Sequence, residues 1–583
     1  MRGCGSIRSP AGCPVEISSA CFFVTCSTLK RLSLQGAILR GNTTLALKEG
    51  NNVKRILASL SLTACIVCSP LLRSQEAPRL VEENGRHALL VDGKPFLVLA
   101  GQINNSSSWP STIKDVWPTI EGMHANTVEA PVYWEQMEPS PGQFNFSTVD
   151  MLVQQAREHH VHLILLWFGT WKNGEMHYVP EWVKADPQHY PRMIDERGEP
   201  IQVLSANSQT NLDADRRAFV ALTHHLHEID SSQHTVLMIQ VENESGAIGA
   251  VRDHSPAAQK QFEGQVPKEL IAGLHKSPGT WSQVFGPDAD ENFQAYSLAS
   301  YIDEVTKAGK AEFSIPMYCN VWVQYPMGYV IRGHLNPGYD YPSGGPVQSM
   351  INLWKIAARS IDVIGPDVYS ADRGFQKELL STYARPDNAL WVPETGLGDN
   401  FAPGFFYALG KGGIGFSPFG TDQTAWTLQP GKLPEAHAEN YALVAPLDRV
   451  FARLNYEGKL QTAVEEEGKP EETLIFGRWL AKVSFGFPQR DGGQHAPGTK
   501  ENLGRAIVAQ LGPDEFLVTG IEARVTFALA PEEKGHMQIL KAEEGTYSDE
   551  TWQPERIWNG DQTDRGLNFR HEHSAVRIQL GTY

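Results

Sequence analysis

The chain has 583 residues, 41% of them apolar and 20% charged, so it is long enough for two or more domains with a sizeable core and too apolar for wholesale disorder. Its formal net charge of −17 argues against a nucleic-acid or anionic-membrane partner, since either needs a basic face. Cys4, Cys13, Cys21, Cys26, Cys65 and Cys68 precede residue 70 and Cys319 alone follows, which leaves the body without a disulfide framework or a thiolate metal site.

In chain order, residues 1–75 read as an upstream extension followed by an export signal. Lys54-Arg55 forms a charged start, and "ILASLSLTACIVCSPLL" forms an apolar run too short to span a bilayer comfortably. Leu62-Thr63-Ala64-Cys65 resembles a bacterial lipobox, which would place a lipid on Cys65; removal by an ordinary signal peptidase before Glu76 is the alternative. Both readings predict an exported protein, periplasmic or extracellular, whose membrane contact is limited to an anchor at Cys65.

From about residue 88 short apolar runs alternate with helical patterns, the mark of βα units. "ALLVDGKPF" predicts an introductory hairpin with an Asp-Gly turn. Eight strands follow, at 96–103, 126–134, 162–169, 236–244, 315–322, 361–369, 389–396 and 413–420. Helices are predicted over 113–124, 148–160, 214–230, 295–313, 350–360, 374–385 and 433–457. Eight such units predict an α/β fold, a (β/α)8 TIM barrel, with long loops after the third and fourth strands on its catalytic face. An open doubly wound sheet is the alternative, but "AGQINNSSS" after the first strand has one glycine and no phosphate-binding fingerprint. After "EEEGKPEET" (465–473) alternating runs between Gly, Pro and Asp turns predict an all-β, sandwich-like domain. The expected domains are therefore 1–75, 76–458 and 459–583.

The fourth strand, "VLMIQVENESG", ends in Glu242-Asn243-Glu244, and the seventh, "ALWVPETG", in Glu394. Carboxylates at the end of a core strand are costly unless paired or used, and strand ends are where such barrels build their active sites. Retaining glycoside hydrolysis needs two carboxyls across a barrel mouth. One protonates the leaving oxygen while the other attacks the anomeric carbon from about 5–5.5 Å away. A strand's period of two puts Gln240, Glu242 and Glu244 on one side, with Glu242 a layer deeper and in need of a buried partner. His224, His225 and His227 lack the spacing of a zinc helix and no His-Glu-x-x-His occurs, so no metal site is expected.

"QVENESG" (240–246) resembles the Gln-[Ile/Val]-Glu-Asn-Glu-x-Gly signature of the clan A family 35 β-galactosidases. "MEPSPGQFNF" (137–146) and "YVPEWV" (178–183) are similar to two further motifs of that family, and the similarity runs from about 80 to 455. The chain thus resembles a divergent bacterial branch of the family carrying a C-terminal β domain. The resemblance implies a cofactor-free, retaining exo-β-glycosidase that releases terminal β-D-galactosyl residues from a β-linked glycan. It also implies Glu244 as acid/base, Glu394 as nucleophile and Asn243 as ligand of the sugar 2-hydroxyl. Two departures bear on specificity: "YWEQMEP" puts Glu135 where the family has a sugar-binding Asn, and "GTWKNG" (169–174) stands in place of Ala-Glu-Trp. Galactose against glucose therefore stays open. A β-glucosidase or transglycosylase of the same clan, or a non-catalytic carbohydrate-binding barrel, are the alternatives. Tyr369, ending "GPDVY" beside the seventh strand, is placed to hold the nucleophile, and an acidic Glu135 suits vicinal hydroxyls. Trp134, Trp167, Trp171, Asn320, Trp322 and Phe416 sit at or just past strand ends, where each faces either the sugar or the packing around it.

Overall fold

The computed structural model describes residues 76–325, 335–424, 431–485, 503–548, 550–570 and 574–583. The expected export signal and Cys65 lie outside the described residues. Among the described residues, no helix is long and apolar enough to cross a membrane.

The body begins with a three-stranded antiparallel sheet, β1 (Arg79–Glu83), β2 (Arg86–Val91) and β3 (Lys94–Phe96). Its two turns are Asn84-Gly85 and Asp92-Gly93, all four residues at positive φ, which is the twist a two-residue hairpin requires. Leu89, Val91 and Phe96 of this sheet pack against Val98, Ile164, Met238 and Trp391, residues of a parallel barrel whose N-terminal end the sheet plugs.

That barrel starts with β4 (Val98–Gln102), β5 (Thr127–Tyr133) and β6 (His162–Lys172), then a small hairpin, β7 (Arg192–Ile194) with β8 (Pro200–Leu204), inside a long loop. The series continues with β9 (Val236–Asn243), β10 (Met317–Trp322), β11 (Val363–Val368), β12 (Trp391–Val392), β13 (Glu394–Thr395) and β14 (Gly415–Phe416). Without the hairpin these form one parallel sheet in the order β12-β14-β4-β5-β6-β9-β10-β11-β13. β12 and β13 are two halves of a single strand interrupted at Pro393, which has no N–H to give to a ladder. One half bonds to β14 and the other to β11, so the sheet closes on itself as an eight-stranded barrel. Gly365 makes room for the interruption: a Cβ there would lie 2.7 Å from Pro393 Cδ.

The surrounding helices include Ser147–Glu158, Gln209–Asp230, Ala289–Glu312, Arg373–Tyr383, Glu435–Val444 and Asp448–Tyr456. Two of them start five or six residues earlier than apolar periodicity indicates. Their first turns, Gln209-Thr210-Asn211 and Ala289-Asp290-Glu291, are polar and leave no mark on the pattern. Ser208 caps the first of these by accepting from Asn211 N.

From residue 460 the described residues are mainly β-strands. The strands β15 (Leu460–Val464), β16 (Glu471–Phe476), β17 (Trp479–Phe485), β18 (Arg505–Gly512) and β19 (Glu515–Ile521) are followed by β20 (Ala523–Leu529), β21 (Met537–Ser548), β22 (Thr551–Ile557), β23 (Leu567–Phe569) and β24 (Ala575–Thr582). They make two antiparallel sheets, β15-β18-β19-β24-β21-β22 and β16-β17-β20-β23. Phe476, Trp479, Val483, Phe516, Val518 and Val525 fill the space between them. β18 is buried on both faces. Ala506 and Val508 point into the sandwich, while Ile507 and Ala509 join a core that includes Tyr441, Val450 and Leu454 of the barrel's last helices. Arg505, buried at that junction, donates from Nε to Asn440 Oδ1 (2.6 Å) and from Nη1 to the Leu503 carbonyl (2.6 Å).

Candidate active site

β9 is regular as far as Val241 and then departs from strand geometry. Glu242 (φ 64°) and Glu244 (φ 45°) are both left-handed, a strained state for a residue with a Cβ that persists only where the surroundings enforce it. Alongside, the register of β6 jumps from Trp167 opposite Val241 to Lys172 opposite Asn243, so Phe168–Trp171 bulge out of the ladder.

This kink corrects the period-two expectation. Glu242 does not lie beneath Glu244 but turns to the helix layer, where Oε2 accepts from Trp171 N at 2.7 Å and the carboxyl bonds to Asp215. Asp215 in turn accepts from Trp167 Nε1 (3.0 Å) and Thr170 Oγ1 (2.8 Å). Burial first, and then the Asp215 charge, hold the Glu242 carboxyl well above the usual carboxylate range, so the two share a proton. The buried partner that Glu242 needs is thus Asp215, and the pair pins the bulge.

At the barrel mouth, one carboxyl oxygen each of Glu244, Glu394 and Asp367 lie within 4.8 Å of one another. Among the described residues this is the one group of three acidic or imidazole side chains so closely gathered. Glu244 N donates to Asn320 Oδ1 (2.8 Å), and Asn320 Nδ2 donates to Asp367 Oδ2 (2.8 Å). Burial, then the facing Glu394 charge, push the Glu244 carboxyl up to about 7, while Lys172 and a hydrogen bond with Asp367 pull it back. Burial and the charges of Glu394 and Glu244 hold Asp367 well above the usual range, so it serves as the proton donor in that hydrogen bond. Glu394 is gripped from two sides: Tyr369 Oη donates to Oε1 at 2.6 Å and Gln102 Nε2 to Oε2 at 3.1 Å.

Of the residues singled out from sequence, Glu244, Glu394, Tyr369 and Asn320 come together, although Asn320 spends both ends of its amide on the protein. Asn243 lies beside them, its Oδ1 taking a hydrogen bond from Lys172 Nζ at 2.7 Å. Trp322, half-buried at the end of β10, lies opposite Asp367 in the register. Trp134 is not in the site. It is fully buried between barrel and helices, donating to Glu138 Oε2 (2.8 Å) and packing on Trp167 and Trp182, because a short helix, Trp134–Met137, begins where the strand was expected to continue. Glu135 is not brought into the cluster either. On that helix its half-exposed side chain pairs with Lys184 at 3.4 Å. Trp167, Trp171 and Phe416 are buried packing residues.

Three site residues escaped the sequence reading. Gln102 and Asp367 carry the same signal as the glutamates, a polar side chain ending an apolar strand. Lys172 is a lone cation at the end of an apolar run.

A closed (β/α)8 barrel with two facing, buried glutamates on its fourth and seventh strands defines the class: a glycosidase architecture. Residues 88–308 match the model of glycosyl hydrolases family 35, and residues 437–570 match a domain of unknown function, DUF5597. The protein is thus family 35-like in its barrel, with an appended β domain. A β-galactosidase of Xanthomonas manihotis is 29% identical over 163 residues, which span 27% of this chain and 25% of that protein. The chain therefore matches about a quarter of that relative's length. Among solved structures, a β-galactosidase from Bacillus circulans sp. alkalophilus (TM-score 0.44, 15% identity, 61% of this chain and 57% of that one) is similar. So is one from the psychrophilic Marinomonas ef1 (TM-score 0.45, 11% identity, 61% of each chain).

Proposed function

We propose that this protein is an exported, retaining exo-β-glycosidase that removes terminal β-D-galactosyl residues from a β-linked glycan. The observation that carries the reading is the pair at the barrel mouth: a carboxyl near neutral pKa at Glu244, within 4.8 Å of a Glu394 held by two donors. Glu394 attacks the anomeric carbon while Glu244 gives its proton to the leaving oxygen, and the glycosidic C–O bond breaks. The glycosyl ester that forms has no charge on Glu394. Burial still favours the protonated form of Glu244, but the Glu394 charge that added to it is then gone, and Asp367 offers its proton in a hydrogen bond to the new carboxylate. Glu244 next takes a proton from water as its oxygen attacks the anomeric carbon, and Glu394 is released.

The family 35 match and the name of the Xanthomonas relative support galactose as the sugar. A panel of nitrophenyl β-galactoside, β-glucoside and β-fucoside tests it. The expected order puts the galactoside first by at least ten-fold in kcat/KM; a preference for the glucoside overturns the sugar assignment, and no hydrolysis of any of them overturns the enzyme. Export rests on the charged-then-apolar segment at 54–72. N-terminal sequencing of protein recovered from an exporting host should find a start near Glu76 or at Cys65, and an intact Met1 refutes it.

A further inference from the structure

The segment that departs most from the family, Gly169–Gly174, contains a lysine whose side chain is buried beside the acid/base. β6 runs through Lys172 and reverses at Asn173-Gly174 (φ 55° and 72°), a two-residue turn closed by hydrogen bonds between Lys172 and Glu175 in both directions. A Cβ at Gly174 would lie 2.9 Å from Ile248 and 3.0 Å from Pro342, so the turn sits hard against the neighbouring loops. The same turn is stitched to the catalytic segment: Asn173 N donates to the Asn243 carbonyl (3.2 Å) and Gly174 N to that of Glu244 (3.2 Å). The backbone therefore fixes where the Lys172 side chain starts. Its ammonium lies 5.2 Å over the Phe168 ring, and Nζ donates to Asn243 Oδ1 at 2.7 Å.

An ammonium group has three donors and no acceptor, so the end of the Asn243 amide that faces it must be the oxygen. That forces Nδ2 the other way. Asn243 is fully buried, and Nδ2 has no hydrogen-bond partner, a costly state unless a ligand supplies the acceptor.

We propose that Lys172 is a positioning residue: it holds the Asn243 amide in one orientation, oxygen on the ammonium and the unpartnered N–H2 turned toward the sugar C2 oxygen that the family resemblance assigns to Asn243. This rests on the glycosidase reading and sharpens it. The bond from Asn243 to that oxygen tightens as the anomeric carbon next to it gains positive character, so Lys172 acts on kcat more than on KM.

The test compares 2,4-dinitrophenyl β-galactoside with its 2-deoxy congener in the wild type, Lys172→Met, Lys172→Gln and Asn243→Asp. The wild type is expected to prefer the 2-hydroxy substrate at least 100-fold after correction for intrinsic reactivity. Lys172→Met should lose 10- to 100-fold in kcat on the 2-hydroxy substrate and under three-fold on the 2-deoxy one. Lys172→Gln keeps an N–H for the amide oxygen and should retain most of the preference. Asn243→Asp keeps the partner of Lys172 but has no donor for the sugar, so the preference should collapse in a variant of native shape. Equal losses on both substrates in Lys172→Met, or a preserved preference in Asn243→Asp, overturn the proposal. Absence of hydrolysis of either substrate by the wild type overturns the glycosidase reading beneath it.

Discussion

Replacing Glu129 by Gln should flatten the dependence of stability on pH. Glu129 lies on β5 and is fully buried inside the barrel, where Tyr318 Oη donates to its Oε2 at 2.7 Å. Burial pushes its carboxyl up to about 8 from an ordinary 4.5; bonds from Ser417 and Tyr318 work against this and the Glu394 charge adds to it. A displacement of that size is worth about 5 kcal/mol of difference between the protonated and ionised folded states. The folded state holds a proton that the unfolded state releases above pH 4.5. The contribution is therefore full below that pH and is lost as pH rises through about 8. About 4 kcal/mol of the change falls between pH 5 and pH 9. Gln keeps the shape and cannot ionise, and the other buried acids are common to both proteins. Urea unfolding of the wild type and Glu129→Gln at pH 5, 7 and 9 should give free energies that diverge with pH in favour of the variant. Two curves parallel within about 1 kcal/mol would refute a neutral, buried Glu129.

Hydrolysis should decline above about pH 7 in kcat/KM, because Glu244 must carry a proton to act as acid; a profile flat to pH 9 contradicts that assignment. Tyr369→Phe deletes the 2.6 Å hydrogen bond to Glu394, and bonds to a charged group are worth about 1.5–3 kcal/mol. The expected loss in kcat is therefore about 10- to 150-fold with little change in Tm, and an unaltered kcat removes Tyr369 from the mechanism. Arg505→Ala strands Asn440 and the Leu503 carbonyl at the junction of barrel and sandwich and should cost about 3 kcal/mol in urea unfolding. A cost under about 0.5 kcal/mol would mean that junction does not depend on it.

The barrel could be read from the sequence because its strands are short apolar runs and helices such as Ser147–Glu158, Arg373–Tyr383 and Asp448–Tyr456 carry an apolar stripe, and those periods survive into the structure. Glu244 and Glu394 were visible for a related reason: charge at the end of a core strand is conspicuous. What failed was orientation. The period-two rule assumes extended backbone, and Glu242 at φ 64° breaks it, sending the side chain to Asp215 on the helix Gln209–Asp230 rather than down the barrel. No pattern marks that residue as left-handed, because the cause is the bulge at Phe168–Trp171 on the neighbouring strand. Trp134 and Glu135 were misplaced by the same kind of local event, a helix that starts one residue past β5. Lys172 was unreadable because its role comes from a tertiary contact with Asn243, 71 residues away.

The proposed mechanism makes Glu394 the nucleophile and Glu244 the acid/base of a retaining pair. Its most direct test is the anomeric configuration of the glycosyl azide formed by Glu244→Ala and by Glu394→Ala from 2,4-dinitrophenyl β-galactoside with added azide. In Glu244→Ala the glycosyl ester on Glu394 still forms from so good a leaving group, and azide then displaces it to give the β-glycosyl azide. In Glu394→Ala azide enters the space left by the carboxylate, attacks the anomeric carbon directly and gives the α-glycosyl azide. The opposite pairing of products would mean that the two roles are reversed, and the same configuration from both variants would contradict a double displacement on this pair.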